Sequence, residues 1–283
     1  MRHAILVLAL VAGLTDVGPA QASTLPIEQS CNIHDSRVPE SSGLAVSRLY
    51  PDLAYTLNDG GKHPVVYAVR LSSCTVVGVS SVQADIPDMD TEAISVASNG
   101  TVWVGDLGDN NKSRHDTSLI SFAEPGMRTG TITNFKRDFI RYPNDKPVDV
   151  ETLMLRPSDG QVFLVSKTTG KTKGAVYSLP AVLAPNKYND ATKTSQSVKS
   201  GISDGTFTPD GHDVMLRRKN DTIYIYRTTT WPWTSEGHED TPDLAQPESI
   251  SVSLETSEPG RVHVYVGSEG TPSPIQKLRL KIP

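Results

Sequence analysis

The stretch that decides the fold is TEAISVASNGTVWVGDLGDN, residues Thr91–Asn110. An acid, Glu92, stands at the start of an alternating apolar and polar run, and the turn Ser98–Gly100 joins this run to a second β-type run. An Asn-Gly pair between two such runs is a strong hairpin signal, because both turn residues tolerate positive φ. The acidic loop Gly105–Asn110 follows the hairpin. The stretch therefore predicts two antiparallel strands flanked by acids.

The same order of features recurs five times, at intervals of roughly 44–59 residues. Each unit has an acid, an alternating strand, a turn, a second strand, a polar loop and a third strand. The first two units add a fourth strand, TVVGVSSVQ and FKRDFIRYP. The acids that begin the units are Glu40, Glu92, Glu151, Asp204 and Glu248. Repeats of this length with four short strands are typical of propeller blades. We predict an all-β fold, a single β-propeller of five blades over residues 23–283, or of six if the insertions at 126–146 or 185–199 hide another.

The fifth unit ends just after its third strand, so it lacks a fourth. Because an open ring would leave unpaired strand edges, we expect segment 25–37 to supply the missing outer strand. Only two cysteines are present, Cys31 and Cys74. In an oxidising compartment such a pair usually forms a disulfide, which here would attach the closing segment to the first blade. The alternative is two separate buried thiols.

The N-terminal segment and the net charge indicate where the protein is located and which partners it can bind. Residues 1–22 combine a charged start, a short apolar run and a small-residue end, which is typical of a secretory signal. We expect a secreted or periplasmic protein without a transmembrane segment, and a monomer. The net charge of −5 argues against nucleic-acid binding.

Acids are concentrated where a propeller would bring them together. The loops before each first strand and after each second strand open on one face, which we call the cup. Oxygen ligands from several blades would suit calcium, which takes six to eight of them. The predicted metal ligands are Glu40, Asn58, Asp59, Glu92, Asp106 and Asp109. In the alternative, the acids accept backbone N–H bonds from neighbouring loops and join one blade to the next.

The chain resembles secreted bacterial β-propeller proteins of poorly defined function. The resemblance rests on Glu40–Ser47, Trp103–Asn110, Asp149–Glu151 and Asp204–Gly211, and it covers nearly the whole mature chain. More remotely, the layout is similar to the gluconolactonase and paraoxonase propellers. That likeness implies an axial calcium held by Glu, Asn and Asp, which polarises an ester or lactone.

Two functions follow as hypotheses. In the first, the cup or the blade edges bind a small molecule, a glycan or a protein, as propellers often do. In the second, the protein is a calcium-dependent hydrolase of a lactone, ester or phosphate ester. Glu92 would then be the general base, and Lys167 or Arg217 would stabilise negative charge in the transition state. We favour binding, since no complete catalytic set is visible.

Overall fold

The computed structural model describes residues 24–84, 86, 89–255 and 257–282. The predicted secretory signal, residues 1–22, lies outside the described residues. The strands are β1 Ile27–Ile33, β2 Ser41–Val46, β3 Leu53–Asn58, β4 Val65–Arg70, β5 Thr75–Val82, β6 Thr91–Val96, β7 Thr101–Asp106, β8 Ser118–Ala123, β9 Gly130–Ile132, β10 Lys136–Arg141, β11 Val150–Leu155, β12 Val162–Ser166, β13 Gly174–Ser178, β14 Tyr188–Asp190, β15 Thr192–Val198, β16 Ile202–Phe207, β17 Asp213–Arg218, β18 Thr222–Arg227, β19 Thr234–Asp240, β20 Pro247–Leu254, β21 Arg261–Ser268 and β22 Ser273–Lys281. A single 3₁₀ turn, Pro143–Asp145, is the helical element of this described part. None of its helices is long and apolar enough to cross a membrane.

The described strands form five sheets, each of which is one blade. Blade 1 contains β2, β3, β4, β5 and β9; blade 2 contains β6, β7, β8, β10 and β14. Blade 3 contains β11, β12, β13 and β15; blade 4 contains β16–β19; blade 5 contains β20, β21, β22 and β1. The innermost strands contact one another in the order β2, β6, β11, β16, β20 and back to β2. The ring is therefore closed, and the predicted five-bladed propeller is confirmed.

The hydrophobic core lies between neighbouring blades. Strand residues alternate between the two faces of a sheet, so each blade packs one face on each neighbour. Tyr55 of blade 1 joins a cluster with Ile94 and Val104 of blade 2, whereas Ala54, one residue earlier, joins a cluster with Tyr265 of blade 5. Three further clusters fill the remaining junctions. The apolar side chains that alternate along the strands therefore pack each blade against its two neighbours around the ring.

The N-terminal segment completes blade 5, as predicted. Strand β1 pairs antiparallel with β22, with Cys31 opposite Ile275. The Cys31–Cys74 disulfide is formed, with the two Cα atoms 5.7 Å apart. Since Cys74 immediately precedes β5 of blade 1, the bond joins the closing strand to the neighbouring blade. Two separate thiols are thereby excluded.

The long insertions add outer strands in place of a sixth blade. Strand β9 pairs in parallel with β5 of blade 1, although it lies in the chain between two strands of blade 2. Strand β14 pairs in parallel with β10 of blade 2, although it lies between two strands of blade 3. Each insertion thus reaches back and extends the preceding blade.

Candidate functional site

A bulge marks the innermost strand of every blade. One extra residue interrupts the pairing of each first strand with the second. Bulges re-aim side chains and are common beside functional sites. The bulges in blades 2, 3 and 5 fall at Glu92, Glu151 and Glu248, while blades 1 and 4 have Ser42 and Ser203 within theirs. Acids therefore occupy three of the five bulge positions.

The sequence alignment of five equivalent acids is wrong at two positions. Glu40 precedes β2 and is exposed, so it lies at the rim of the cup. Asp204 comes one residue after the bulge position Ser203, and its Oδ2 accepts a hydrogen bond from the N–H of Ile250 in blade 5 (2.9 Å). Its Oδ1 accepts from the N–H of Gly205 (2.8 Å). Asp204 therefore joins two blades, which is the structural alternative stated for these acids.

Three acids at the junction of blades 1 and 2 form the acidic trio: Asp59, Asp90 and Glu92. One potential ligand oxygen from each lies within 4.8 Å of the others. Asp59 directly follows β3, Asp90 directly precedes β6, and Glu92 is the bulged residue of β6. Ser42 donates its hydroxyl proton toward Oε2 of Glu92 (3.4 Å). The trio therefore depends on the packing of blade 1 against blade 2, since β3 and β6 belong to different blades.

The electrostatics of the trio disfavour three free negative charges. Burial, a hydrogen bond to Asp90 and the charge of Asp90 raise the pKa of Asp59 to about 7. Burial, followed by the charges of Asp59 and Glu151, raises the pKa of Glu92 to about 9. Carboxylates crowded in this way need either protons or a cation. The trio can therefore hold a positive ion in exchange for its protons.

The opposite side of the cup carries two lysines. Lys167 contacts Oε1 of Glu151 at 2.5 Å and donates to Oδ1 of Asn110 at 3.1 Å. Lys219 bridges Oε1 of Glu151 (3.3 Å) and Oε1 of Glu248 (2.9 Å). Burial raises the pKa of Glu248 to about 7, although Lys219 acts in the opposite direction. The cup is thus divided into an acidic side and a side of paired charges.

One buried oxygen on this second side lacks a donor. Glu151 is 2% exposed, and its Oε2 has no hydrogen-bond partner among the described residues. The hydroxyl of Ser203, at a bulge position, is also without a described partner. Buried polar atoms are nearly always satisfied by protein, water or an ion. These two atoms are therefore suited to ordered water or a bound ligand.

Two predicted metal ligands, Asp106 and Asp109, belong to a loop network and not to the trio. Asp106 is fully buried, and its Oδ1 accepts from Nη2 of Arg114 (2.8 Å) and from the N–H of Asp90 (3.0 Å). Asp109 accepts from the N–H groups of Ser113 (2.8 Å) and Arg114 (3.0 Å). These carboxylates order the loop after β7 and position the backbone of Asp90.

Asn58 also serves the backbone. Its Nδ2 donates to the carbonyl of Arg37 (2.7 Å), and its Oδ1 accepts from the N–H of Glu40 (3.2 Å). Of the six predicted ligands, the structure therefore brings Asp59 and Glu92 together and leaves the other four outside the trio. Asp90 takes the third place; its signal was the Asp-x-Glu spacing that puts it on the same face as Glu92.

The predicted charge-stabilising residue Arg217 lies inside blade 4. Its side chain is fully buried, and its guanidinium donates to Asp221 (2.8 Å) and to Thr241 (3.1 Å). Burial lowers its pKa to about 10. The described contacts of Arg217 are all internal, whereas Lys167 and Lys219 are partly exposed in the cup. Lys219 was missed, because nothing in the run Arg217–Lys219 indicates which residue faces the axis.

Comparison with known proteins supports the fold and assigns no function. No protein-family model matches the chain, and no curated protein sequence matches it. The chain is similar to the crystal structure of the major Malassezia sympodialis allergen Mala s 1, with a TM-score of 0.53, 11% identity, and coverage of 89% of this chain and 96% of that chain.

Two further structures align less well. A Lactobacillus plantarum protein gives a TM-score of 0.40 at 16% identity, covering 84% of this chain and 70% of its own. The β-propeller domain of Myceliophteria thermophila Cps50 (Swd1) gives 0.43 at 11% identity, covering 86% and 73%. Identities this low carry no activity from one protein to another. By its closed ring of blades, the chain is a five-bladed β-propeller.

Proposed function

We propose that this protein binds a divalent cation, calcium foremost, at Asp59, Asp90 and Glu92, and that the cation-loaded cup binds its ligand or partner. The observation that carries the proposal is the approach of three carboxylates to within 4.8 Å of one another. Calcium binds oxygen at 2.3–2.6 Å, so two oxygens on one ion lie at most about 5 Å apart. The trio has the dimensions of one such ion.

The charge of the site supports the same conclusion. Asp59 and Glu92 have pKa values raised to about 7 and about 9 because they are buried beside other acids. A divalent cation would replace the protons and relieve the repulsion. Magnesium demands near-ideal octahedral geometry at shorter distances, whereas calcium tolerates irregular carboxylate sets completed by water. These preferences favour calcium.

The disulfide supports the expected location. Disulfides persist in oxidising compartments and are rare in the cytosol, so the formed Cys31–Cys74 bond fits a secreted or periplasmic protein. Extracellular modules commonly bind calcium at the high concentrations found outside cells. The location and the cation therefore agree.

Hydrolysis of a lactone, ester or phosphate ester stays a prediction. It was motivated by the remote likeness to calcium propellers with an axial ion. Arg217 is turned inward, and Lys167 is paired with Glu151. We therefore propose binding as the function, with cation-dependent hydrolysis as the reaction to assay once the ion is identified.

Calorimetric titration tests the cation site directly. Protein stripped with EDTA and titrated with calcium chloride should bind about one ion per chain, and the melting temperature should rise with calcium by mass action. Asp90→Asn and Glu92→Gln should each weaken binding by at least about tenfold, since each removes a charged ligand.

Matched controls separate ligation from a general loss of charge. Asp243→Asn and Glu236→Gln make the same chemical changes at exposed positions outside the trio, and calcium affinity should not change. Absence of calcium and magnesium binding in the folded, unmodified protein would end the proposal. Unchanged affinity in both trio variants would do the same.

A further inference from the structure

A groove of about 470 Å³ lies between blades 2 and 3, away from the cup. One wall is the outer part of blade 2 and includes Trp103, Ser121, Lys136 and Asp138. The other wall is the loop after β13 and includes residues 180–183 and Pro185. Val182 is 85% exposed, so this second wall presents an apolar rim.

The strand register places the blade 2 residues on one face. Trp103 is opposite Ser121, and Ser121 is opposite Lys136, so the three form one row across β7, β8 and β10. Asp138 lies two residues beyond Lys136 and therefore points to the same side. Trp103 is half-buried, packed against the junction of blades 2 and 3. An aromatic ring, a hydroxyl, an ammonium group and a carboxylate thus line one surface.

Asp138 is the unusual member of this surface. It is 2% exposed, and its Oδ1 has no hydrogen-bond partner within the part of the chain that the structure describes. A buried polar atom without a partner is costly, and native proteins keep such atoms for a water, an ion or a functional role. Burial raises the pKa of Asp138, with Lys136 opposing the shift. The wall of the groove therefore includes a carboxylate with one buried oxygen that has no donor among the described residues.

We propose that this groove binds a neutral saccharide, one of whose hydroxyl groups donates to the carboxylate of Asp138. The ring of Trp103 offers an apolar face for the C–H surface of a sugar. Asn99, Ser121 and Asn134 also line the groove and supply further donors and acceptors. Pockets that combine apolar walls with a few convergent polar groups are typical of small-molecule sites.

The charges of the groove favour a neutral ligand over a cation. Asp138 would attract an amine, but Lys136 projects from the same face two residues away and would repel one. The two side chains together offer one donor group, the ammonium of Lys136, and one acceptor group, the carboxylate of Asp138, which suits adjacent hydroxyl groups of a sugar. The volume of about 470 Å³ lies within the range of small-molecule pockets, about 300–1,000 Å³.

Nuclear magnetic resonance titration of the ¹⁵N-labelled full chain tests the proposal. The probes are glucose, galactose, mannose, N-acetylglucosamine, maltose and cellobiose at millimolar concentrations, with EDTA present so that the cation site takes no part. At least one sugar should shift the indole N–H resonance of Trp103 in a saturable manner. Asp138→Asn should weaken that binding by about tenfold, as loss of a charge-assisted hydrogen bond predicts.

Two further variants make the outcome decisive. Asp138→Leu removes the acceptor and should abolish binding, whereas Asp243→Asn, at an exposed position outside the groove, should leave it unchanged. Absence of saturable shifts with every sugar would mean that Asp138 binds ordered water only, and would overturn the proposal. N-acetyl-lysine methyl ester serves as a cationic probe, and the proposal is also overturned if the groove binds this amine but none of the sugars. Equal sugar affinity in the unmodified protein and the Asp138 variants would overturn it as well.

Discussion

Replacing Glu92 by Gln should stabilise the cation-free protein at neutral pH. The pKa of Glu92 lies at about 9 in the folded state against an ordinary value of 4.5, because the carboxyl group is buried beside Asp59 and Glu151. Above pH 4.5 the unfolded chain releases this proton while the folded chain retains it. The free energy of unfolding therefore falls as pH rises, by about 1.4 kcal/mol per pH unit, until the folded pKa is reached.

The difference amounts to about 3 kcal/mol at pH 7. Glutamine has nearly the same shape and no charge to bury, so E92Q avoids this loss. In EDTA, urea denaturation should show E92Q more stable than the unmodified protein by up to about 3 kcal/mol at pH 7, and equal to it near pH 4.5. With calcium at one hundred times its dissociation constant the unmodified protein should gain about 2.7 kcal/mol, and E92Q should gain little.

The matched control is Glu236→Gln, an exposed position at which the same substitution should change neither profile. A lower stability of E92Q than of the unmodified protein, in EDTA at pH 7, would contradict this prediction. Glu92 would then be a carboxylate that holds blades together through accepted hydrogen bonds, as Asp204 does. Its negative charge would then raise the free energy of unfolding instead of lowering it.

Two further predictions concern the connections between blades. Asp204→Ala should lower the free energy of unfolding by about 2–4 kcal/mol, because it leaves two buried N–H groups unpaired; urea denaturation beside Asp243→Ala would measure this, and an equal loss in both variants would contradict it. Replacing Cys31 and Cys74 together by Ser should cost about 4 kcal/mol, the chain-entropy value for a separation of 43 residues. Hydrogen exchange should then show protection lost first in β1 and β22, and uniform loss across all blades would argue against this account.

The fold was predictable because it depends on local signals. Alternating strands, the turn at Ser98–Gly100 and an interval near 50 residues are visible in one sequence, and they decide the blades. The closing strand followed from counting strands, since an unpaired edge is unfavourable. The disulfide followed from the presence of two cysteines in a chain with a predicted secretory signal.

The candidate site was predictable only in part, because bulges leave no clear mark in the sequence. Alignment on acidic residues matched Asp204 to Glu92, although the bulge of blade 4 is at Ser203. One residue of offset turns a strand side chain to the opposite face, and so Asp204 contacts blade 5 and not the axis. Likewise, Arg114 donates a hydrogen bond to the carboxylate of Asp106. Residue spacing alone does not reveal this pairing.

The groove at Asp138 had no signal at all. The run Lys136–Arg141 indicates an outer strand, and such strands normally carry charged residues that face water. The loop at residues 180–185, which comes from blade 3, lines the same groove as this carboxylate, and nothing in the run Lys136–Arg141 indicates that neighbour. Side-chain contacts between blades could not be predicted from the sequence where they depend on the relative rotation of two sheets.

The shared last blade has a consequence for the order in which the chain assembles. Strand β1 is synthesised before every other strand, yet its partner β22 is synthesised last. Cys74 follows Cys31 by only 43 residues, so their bond can form while most of the ring does not yet exist. The bond then holds β1 against blade 1, so β22, when it docks last, pairs with a strand whose place beside blade 1 is already fixed.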